Sequence, residues 1–278
     1  SSGAVIKAIT NEASDGQLHK KAELIDLINI DFGPIHPLTG PVYVEEAEVG
    51  DILAVDLIDI ELHDYGWQAI VGGFGFLTDR FPEPKLNIHE IDTINKTTMF
   101  NGKITIPLKP FPGVMGVAPD TEEMLSTIPP RANGGNMDDP SIVEGTTVYF
   151  PVFVKGALFS IGDAHAVQGL GEVCGTAIEA PMTFVYRLRV LKNKPAIQEP
   201  QYETDDFYAV TGFGETIDIA TKKAVNFMVD HLSENYDISA EDAYMLCSLV
   251  GDLKIAEVVD VPNMLVTMHF PKSILDQL

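Results

Sequence analysis

One glycine-rich stretch, IGDAHAVQGLGEVCGTAIEAP (residues 161–181), concentrates side chains that can perform chemistry. Asp163 and His165 are two residues apart, so at the end of an extended strand both side chains point to the same face. A carboxylate oxygen and an imidazole nitrogen on one face can bind a divalent metal ion. Glu172 follows within reach as a general base, and the nearby glycines let backbone and ligand approach closely. The alternative is that these polar residues face water beside a turn.

Two further loops carry candidate residues. In NGGNMDD (residues 133–139), a tight glycine loop presents Asn136, Asp138 and Asp139 as oxygen ligands or as groups that orient a carbonyl. An ordinary Asn-Gly turn explains the same residues. His36 lies between two prolines in GPIHPLTGP, and a stiff loop is a good position for a functional imidazole, although a lone histidine is more often structural.

Other motifs exclude several kinds of site. The glycine-rich runs VGGFGF (residues 71–76) and TGFGET (residues 211–216) match neither a dinucleotide fingerprint nor a P-loop, which argues against nucleotide binding. Cys174 could act as a thiol nucleophile, but the sequence around it offers no basic cluster to activate it. A packing role is therefore favoured for this cysteine.

Composition restricts the partners. The 278-residue chain has 41 acidic and 18 basic residues, and its formal net charge of −23 is spread along the sequence. This charge repels phosphate backbones, so we expect no nucleic-acid partner. The excess of acidic residues would be explained by general solubility or by a cluster of carboxylates that binds cations. No run approaches the roughly 20 apolar residues of a membrane helix. The two cysteines form no disulfide or zinc-finger pattern. We therefore expect a cytoplasmic protein without a membrane partner.

The hydrophobic pattern predicts strands through most of the chain. Period-two alternation in residues 23–62 predicts a hairpin-rich start, and TTVYFPVFV with ALFSIGD (residues 146–163) predicts a hairpin that turns at Lys155 and Gly156. Residues 176–191 predict a long strand. The many proline and glycine punctuations between these runs exclude long helices there.

The last quarter of the chain has a helical pattern. A stripe that includes Ala220, Ala224 and Met228 predicts one helix, and Ser239 is a candidate N-cap for a second that ends near Gly251. The acidic stretch EPQYETDDF (residues 199–207) is the best candidate for a boundary between a β-rich body and a helical C-terminal part, although a plain surface loop would also explain it. We therefore predict a β-rich body over residues 1–200, which carries the active-site loops, and a smaller α/β part over residues 201–278 packed on it.

Three motifs together resemble the signatures of the acetamidase/formamidase family: HPLTGPVYVEEAEVGDIL (residues 36–53), GGNMD (residues 134–138) and GDAHAVQGLGEVCGTAIE (residues 162–179). The resemblance extends from ASDGQ (residues 13–17) to VVDVPN (residues 258–263). It implies a mainly β fold with a β-sandwich-like core, hydrolysis of short amides, a divalent metal ion and a homo-oligomer. Family chains usually begin a few tens of residues before ASDGQ, so this chain is expected to be a short or trimmed member.

The resemblance and the residues together suggest a mechanism for cleaving a formamide- or acetamide-type substrate. Asp138, Asp163 and His165 would hold the metal, with zinc as the expected ion and calcium as the alternative. Glu172 would move the proton from water to the departing amine. The candidates for binding the developing oxyanion are Asn136 and the backbone amides around Gly134 and Gly171, and His36 is a further catalytic candidate.

Two other functions remain open from the sequence. In the first, the carboxylate loops hold a divalent cation in a non-catalytic β protein. In the second, a hydrolase of the same fold uses Cys174 as its nucleophile. Release of ammonia from a small amide separates the first alternative from an amidase, and alkylation of the thiol separates the second.

Overall fold

The structure, a computed structural model, describes residues 1–278 and is built mainly from antiparallel strands. The strands are β1 (Val5–Thr10), β2 (Leu38–Val42), β3 (Ile52–Leu62), β4 (Tyr65–Ile70), β5 (Lys85–Asp92), β6 (Thr97–Phe100), β7 (Ile104–Pro107), β8 (Phe111–Gly116), β9 (Gly134–Asn136), β10 (Thr147–Pro151), β11 (Phe159–His165), β12 (Met182–Leu191), β13 (Gln201–Glu203), β14 (Phe207–Gly214), β15 (Asp252–Glu257) and β16 (Met264–Pro271). The helices are α1 (Leu24–Ile28), α2 (Ile217–Asn235), α3 (Ala240–Val250) and α4 (Lys272–Leu275).

The strands form three sheets. An eight-stranded sheet has the order β1-β12-β3-β10-β13-β14-β16-β15, and two four-stranded sheets have the orders β2-β11-β8-β9 and β4-β5-β6-β7. The largest apolar cluster combines Leu53 and Phe150 of the eight-stranded sheet with Met115, Phe159 and Ile161 of the sheet that contains β8 and β11. Two sheets therefore share one core, as expected for a sandwich-like arrangement.

The two long helices pack on the other end of the large sheet. Ala220, Ala224 and Met228 of α2 are buried in a second cluster with residues of β14 and β16. The helix lies so close to β14 that a Cβ on Gly212 would lie 2.7 Å from the backbone nitrogen of Ala224. The residue at this position must therefore lack a side chain. Ser239 caps α3 by accepting from the backbone N–H of Asp242 at 3.1 Å, as the sequence predicts.

Three local predictions are wrong. The hairpin-rich start expected over residues 23–62 is absent, because β2 pairs with β11 and β3 pairs with β10 and β12. The segment around Leu24–Ile28, expected to be a strand, is helix α1, whose first turn is closed by the Asp26 carboxylate accepting from the Glu23 N–H at 2.7 Å. The expected hairpin between β10 and β11 is absent because the two strands belong to different sheets. The connecting segment bonds elsewhere: Val152 N donates to Asp51 O at 2.9 Å, and Gly156 N donates to Ala47 O at 2.8 Å.

The mainly β class, the long strand β12 and the two helices of the last quarter agree with the sequence analysis. The division at residue 200 stays a proposal. The helices α2 and α3 have their own apolar cluster, whereas the eight-stranded sheet runs through the division where β10 pairs with β13. None of the helices has the length and apolar character needed to cross a membrane.

Candidate active site

The candidate residues gather around the sheet with the order β2-β11-β8-β9. Asp163 and His165 are on β11, Asn136 ends β9, and Asp138 follows two residues later. His36 lies in the loop before β2, and Glu172 lies in the loop after β11. One cavity of about 90 Å³ is lined by all six: His36, Asn136, Asp138, Asp163, His165 and Glu172. Segments far apart in the sequence therefore meet at one place.

A glycine on the intervening strand lets the two aspartates meet. Strand β8 separates β11 from β9, yet the carboxylates of Asp163 and Asp138 both lie over Gly113. A Cβ on Gly113 would be 2.5 Å from Asp138 Oδ1 and 2.9 Å from Asp163 Oδ2. Both aspartates have positive φ, 41° for Asp138 and 47° for Asp163, an uncommon backbone conformation for residues other than glycine. Such conformations often occur at functional sites.

Replacing Gly113 with alanine is expected to abolish the close approach of the two carboxylates. The added methyl group would also meet the backbone oxygen of Asp163 at 2.6 Å, so a side-chain rotation alone would not relieve the clash. We expect at least a tenfold loss of affinity for added zinc in Gly113→Ala, measured by isothermal titration. The matched control is Gly169→Ala, whose new Cβ would meet no atom within 4 Å. A Gly113→Ala variant that matched this control would contradict the assignment.

His165 is at the centre of the cluster, and its side chain is buried together with its acidic neighbours. Its Nε2 atom lies 3.0 Å from Glu179 Oε2 and 3.5 Å from Asp163 Oδ2. On the other side of the ring, Nδ1 is 3.6 Å from Asp138 Oδ1. The Nε2 atom of His36 lies 3.9 Å from Asp163 Oδ2. One imidazole is thus surrounded by three carboxylates.

Gln168 determines which nitrogen of His165 carries the proton. The Nε2 atom of Gln168 donates to the backbone oxygen of Asp138 at 2.7 Å and lies 3.3 Å from that of Ala256. This fixes the amide orientation, so the Gln168 Oε1 atom faces His165 Nδ1 at 2.9 Å and must accept its N–H. The Nε2 atom of His165 then faces two carboxylates. A proton or a metal ion is needed there to offset the negative charge.

Burial raises the pKa of several carboxyl groups in the cavity. It raises the pKa of Glu172 well above its usual range, and the nearby charge of Asp138 adds to the effect. Burial likewise raises the pKa of Asp260, with Asp138 again adding. For Glu179, burial outweighs the opposing effect of His165 and raises the pKa to about 7. Without a cation, some of these groups therefore retain protons near neutral pH.

The pKa values of Asp163 and His165 are shifted in the direction opposite to the one that burial alone would cause. Burial acts to raise the pKa of Asp163, but His36 and His165 outweigh it and the pKa is lowered. Burial acts to lower the pKa of His165, but Glu179 and the other carboxylates outweigh it and the pKa is well above 6.5. The two groups stabilise each other's charged forms, so the cavity already attracts positive charge at this position.

The donor atoms fit a metal ion. Three buried oxygens of the lining have no hydrogen-bond partner: Asn136 Oδ1, Asp138 Oδ1 and Asp260 Oδ2. Unpartnered buried polar atoms are rare in native structures, and a metal ligand is one explanation for them. Three sets of side chains have donor atoms within 4.8 Å of one another: Asp138, Asp163 and His165; His165, Glu172 and Glu179; and Asp138, Glu172 and Asp260.

Sequence reasoning did not single out Glu179, Asp260 or Gln168. Glu179 and Gln168 lie in the opening stretch, and Asp260 lies in VVDVPN, but nothing in their spacing indicates a shared site. Glu179 reaches the cavity because its backbone forms an isolated antiparallel bridge with His165. Asp139 does not join the site. Its carboxylate accepts from the Ser141 N–H at 2.9 Å and from the hydroxyl of Tyr202.

Cys174 is half-buried and does not line this cavity. It lines a second groove, which shares Glu172 and Thr176 with the cavity but is lined by no histidine. Its Sγ atom lies 3.5 Å from the backbone oxygen of Thr176 and 3.6 Å from that of Ala69. Since the thiol and the imidazoles do not face the same space, the geometry offers no support for a thiol nucleophile.

Comparison with known proteins identifies the family. The model of the acetamidase/formamidase family matches residues 1–126 and 121–277. The chain belongs to the acetamidase/formamidase family. A formamidase of Methylophilus methylotrophus is 26% identical over 94% of this chain and 82% of its own length. The prediction of an amidase is thereby confirmed at the level of the acetamidase/formamidase family.

Solved structures from the acetamidase/formamidase family share the fold. The crystal structure of an acetamidase from Bacillus halodurans has a TM-score of 0.94 and 31% identity, covering 100% of this chain and 92% of that chain. The crystal structure of a predicted acetamidase/formamidase from the thermophile Thermoanaerobacter tengcongensis has a TM-score of 0.93 and 33% identity. The match covers 99% of this chain and 89% of that chain. The expectation of a mainly β fold is therefore confirmed by experimentally solved relatives.

Proposed function

We propose that this protein hydrolyses a short aliphatic amide of the formamide or acetamide type to a carboxylate and ammonia, with a divalent metal ion and a water molecule. The observation that carries the proposal is the convergence of six predicted residues from separate segments on one buried cavity. Family membership supports the reaction class. The residue roles below belong to the proposal.

Asp138, Asp163 and His165 are the proposed metal ligands. Their donor atoms lie within 4.8 Å of one another, and the Gln168 bond leaves the Nε2 atom of His165 free to bind. A set that mixes imidazole with carboxylates is typical of zinc, whereas the all-carboxylate set with Glu172 and Asp260 would also suit calcium. When bound, zinc supplies a Lewis acid that polarises the amide carbonyl and makes water more nucleophilic.

The proton transfer is assigned to Glu172. Glu172 lines the cavity beside the proposed ligands, so its carboxylate can take a proton from water there and pass it to the departing nitrogen. Asn136 lines the same cavity, and its Nδ2 group can donate to the oxygen that becomes negative in the transition state. His36 also lines the cavity and is proposed to contact the substrate there.

Ammonia release tests the proposed reaction. The purified chain, incubated with zinc, should release ammonia from formamide or acetamide, and prior removal of metal with a chelator should abolish the release. A protein that binds metal yet releases no ammonia from any small amide would instead favour the non-catalytic cation-binding alternative. A homo-oligomer is also part of the proposal, and sedimentation of the native chain measures it.

Gln168 is proposed as a positioning residue for His165. Removing its amide in Gln168→Ala should weaken zinc binding and amidase activity by about 10- to 100-fold, since partners of metal-binding histidines typically have effects of this size. Isothermal titration with zinc provides a readout that is independent of turnover. The matched control is Gln277→Ala at an exposed helix end. Unchanged zinc affinity in Gln168→Ala would contradict this role.

A further inference from the structure

One hydroxyl group, that of Thr127, contacts both the main chain and the ring of His36. The Thr127 Oγ1 atom accepts from the backbone N–H of His36 at 2.9 Å and lies 3.3 Å from the Nδ1 atom of the ring. It also donates to the carbonyl oxygen of Ile35 at 3.1 Å. The chemistry proposed above assigns no role to this threonine.

The hydrogen bonds of Thr127 determine which nitrogen of the His36 ring carries hydrogen. A hydroxyl group has one hydrogen to donate and two lone pairs that accept. Its hydrogen goes to Ile35, because a carbonyl oxygen only accepts and no backbone N–H donates to this one. The contact between Thr127 and Nδ1 must then be donated by the ring. In the neutral imidazole the Nε2 atom therefore carries a lone pair and no hydrogen.

The Nε2 atom of His36 lies near Asp163, and both residues line the cavity. It is 3.9 Å from Asp163 Oδ2, which is too far for a direct hydrogen bond, and the His36 side chain is only 11% exposed. An acceptor nitrogen in this position needs a donor, and the NH2 group of a primary amide is a donor that the proposed reaction supplies. Asn136, the proposed donor to the carbonyl oxygen, lines the same cavity. The two side chains therefore suit the two ends of a primary amide group.

The backbone on each side of this contact is itself held in place. The Arg131 guanidinium braces the loop that carries Thr127 by donating to two backbone oxygens of that loop, at 2.9 and 3.1 Å. The segment after His36 packs directly on β11, where a Cβ on Gly162 would lie 2.6 Å from the backbone oxygen of Pro37. Since both backbones are fixed, the hydroxyl of Thr127 sets the orientation of the ring.

We propose that Thr127 is a positioning residue, whose hydroxyl orients the His36 ring so that Nε2 accepts a hydrogen bond from the NH2 group of the substrate amide. This inference rests on the proposed amide hydrolysis. It makes His36 a substrate-binding residue and not a metal ligand, and the threonine acts only through the histidine. A ring in another orientation leaves the amide group without a fixed position, which lowers kcat/KM.

The position of hydrogen on the His36 ring tests this role without turnover. Nitrogen-15 NMR of labelled histidine is recorded on zinc-saturated protein at mildly alkaline pH, where an ordinary histidine is neutral. The His36→Ala spectrum identifies the signals. We expect hydrogen on Nδ1 in the native protein and in Thr127→Ser, and loss of this preference in Thr127→Val. Hydrogen or zinc on Nε2 of the native protein would overturn the proposal.

The matched control for Thr127→Val is Thr121→Val in the same loop. The hydroxyl of Thr121 accepts from the backbone N–H of Glu123 at 3.1 Å in an exposed turn. Removing this hydroxyl should leave both the His36 signals and the amidase rate unchanged. A spectrum altered equally by the two threonine variants would show a general effect of the loop and would contradict a specific contact.

A double-mutant cycle tests whether Thr127 acts through His36. Thr127→Val should lower kcat/KM for acetamide by about 10- to 100-fold, with unchanged zinc affinity in isothermal titration, and Thr127→Ser should recover most of the rate. In the His36→Ala background, Thr127→Val should have no further effect. An equal loss in both backgrounds, or a loss of zinc affinity, would overturn the proposal. If the native protein hydrolyses no small amide, the proposed function fails, whereas the NMR result still decides the positioning role.

Discussion

Asp163→Asn and His165→Ala are expected to lose bound zinc and to lower the amidase rate by about a thousandfold, equivalent to about 4 kcal/mol of transition-state stabilisation. Both side chains are buried among carboxylates, and removing either donor leaves the metal with an incomplete ligand set. Elemental analysis of the purified variants and ammonia release from acetamide measure the two effects separately.

The control for this experiment is Asp139→Asn. Asp139 is as buried as Asp163, but its carboxylate caps the Ser141 N–H and accepts from Tyr202 instead of facing the cavity. An asparagine keeps the oxygen that accepts from the Ser141 N–H, and its Nδ2 group can donate to the Tyr202 hydroxyl oxygen in place of the second bond, so metal content should be retained even if the protein is less stable. If Asp163→Asn kept both its metal and its rate, the ligand assignment would be wrong.

Glu172→Gln is expected to separate catalysis from metal binding. Glutamine preserves the shape of the side chain but cannot take up a proton, so kcat should fall by about 100- to 10,000-fold, the range typical of a lost general base. Bound zinc should remain near the wild-type amount because Asp138, Asp163 and His165 are intact. Metal content and ammonia release are again the two readouts.

An exposed acidic residue supplies the control for Glu172→Gln. Glu144→Gln removes one negative charge from the surface and should leave the rate unchanged. Glu172 also lies within reach of Asp138 and Asp260, a set that could itself hold a cation. Joint loss of zinc and rate in Glu172→Gln would therefore show that this residue is a ligand and not the proton carrier.

The sequence alone could predict only those contacts of the site that join residues close together along the chain. Asp163 and His165 share a face because they alternate along one strand, which is a property of any extended segment. The approach of Asp138 could not be derived from spacing, since it depends on a glycine at position 113 of the strand between them. Glu179 is likewise brought in by a long-range backbone bridge to His165. Such pairings depend on sheet topology.

The fold was predictable to a similar extent. The helix from Ile217 to Asn235 follows from its apolar stripe, and the cap at Ser239 follows from local hydrogen bonding. The hairpin predicted for β10 and β11 failed because alternation identifies strands but not their partners. The segment Leu24–Ile28 is too short for its period to distinguish helix from strand.

The acidic composition has two contributions. The cavity lining includes five of the chain's 41 acidic residues: Asp138, Asp163, Glu172, Glu179 and Asp260. Most of the net charge of −23 therefore lies elsewhere and is consistent with a general contribution to solubility. The distribution of acidic residues is therefore compatible with both solubility and cation binding.

Metal reconstitution of the wild-type chain tests the central claim most directly. Chelator-treated protein, verified as metal-free by elemental analysis, is titrated with zinc and assayed for ammonia release from formamide and acetamide at each addition. We expect no turnover at the start and a rise that follows the occupancy of the buried cluster. Undiminished amide hydrolysis by the verified metal-free protein would contradict the account.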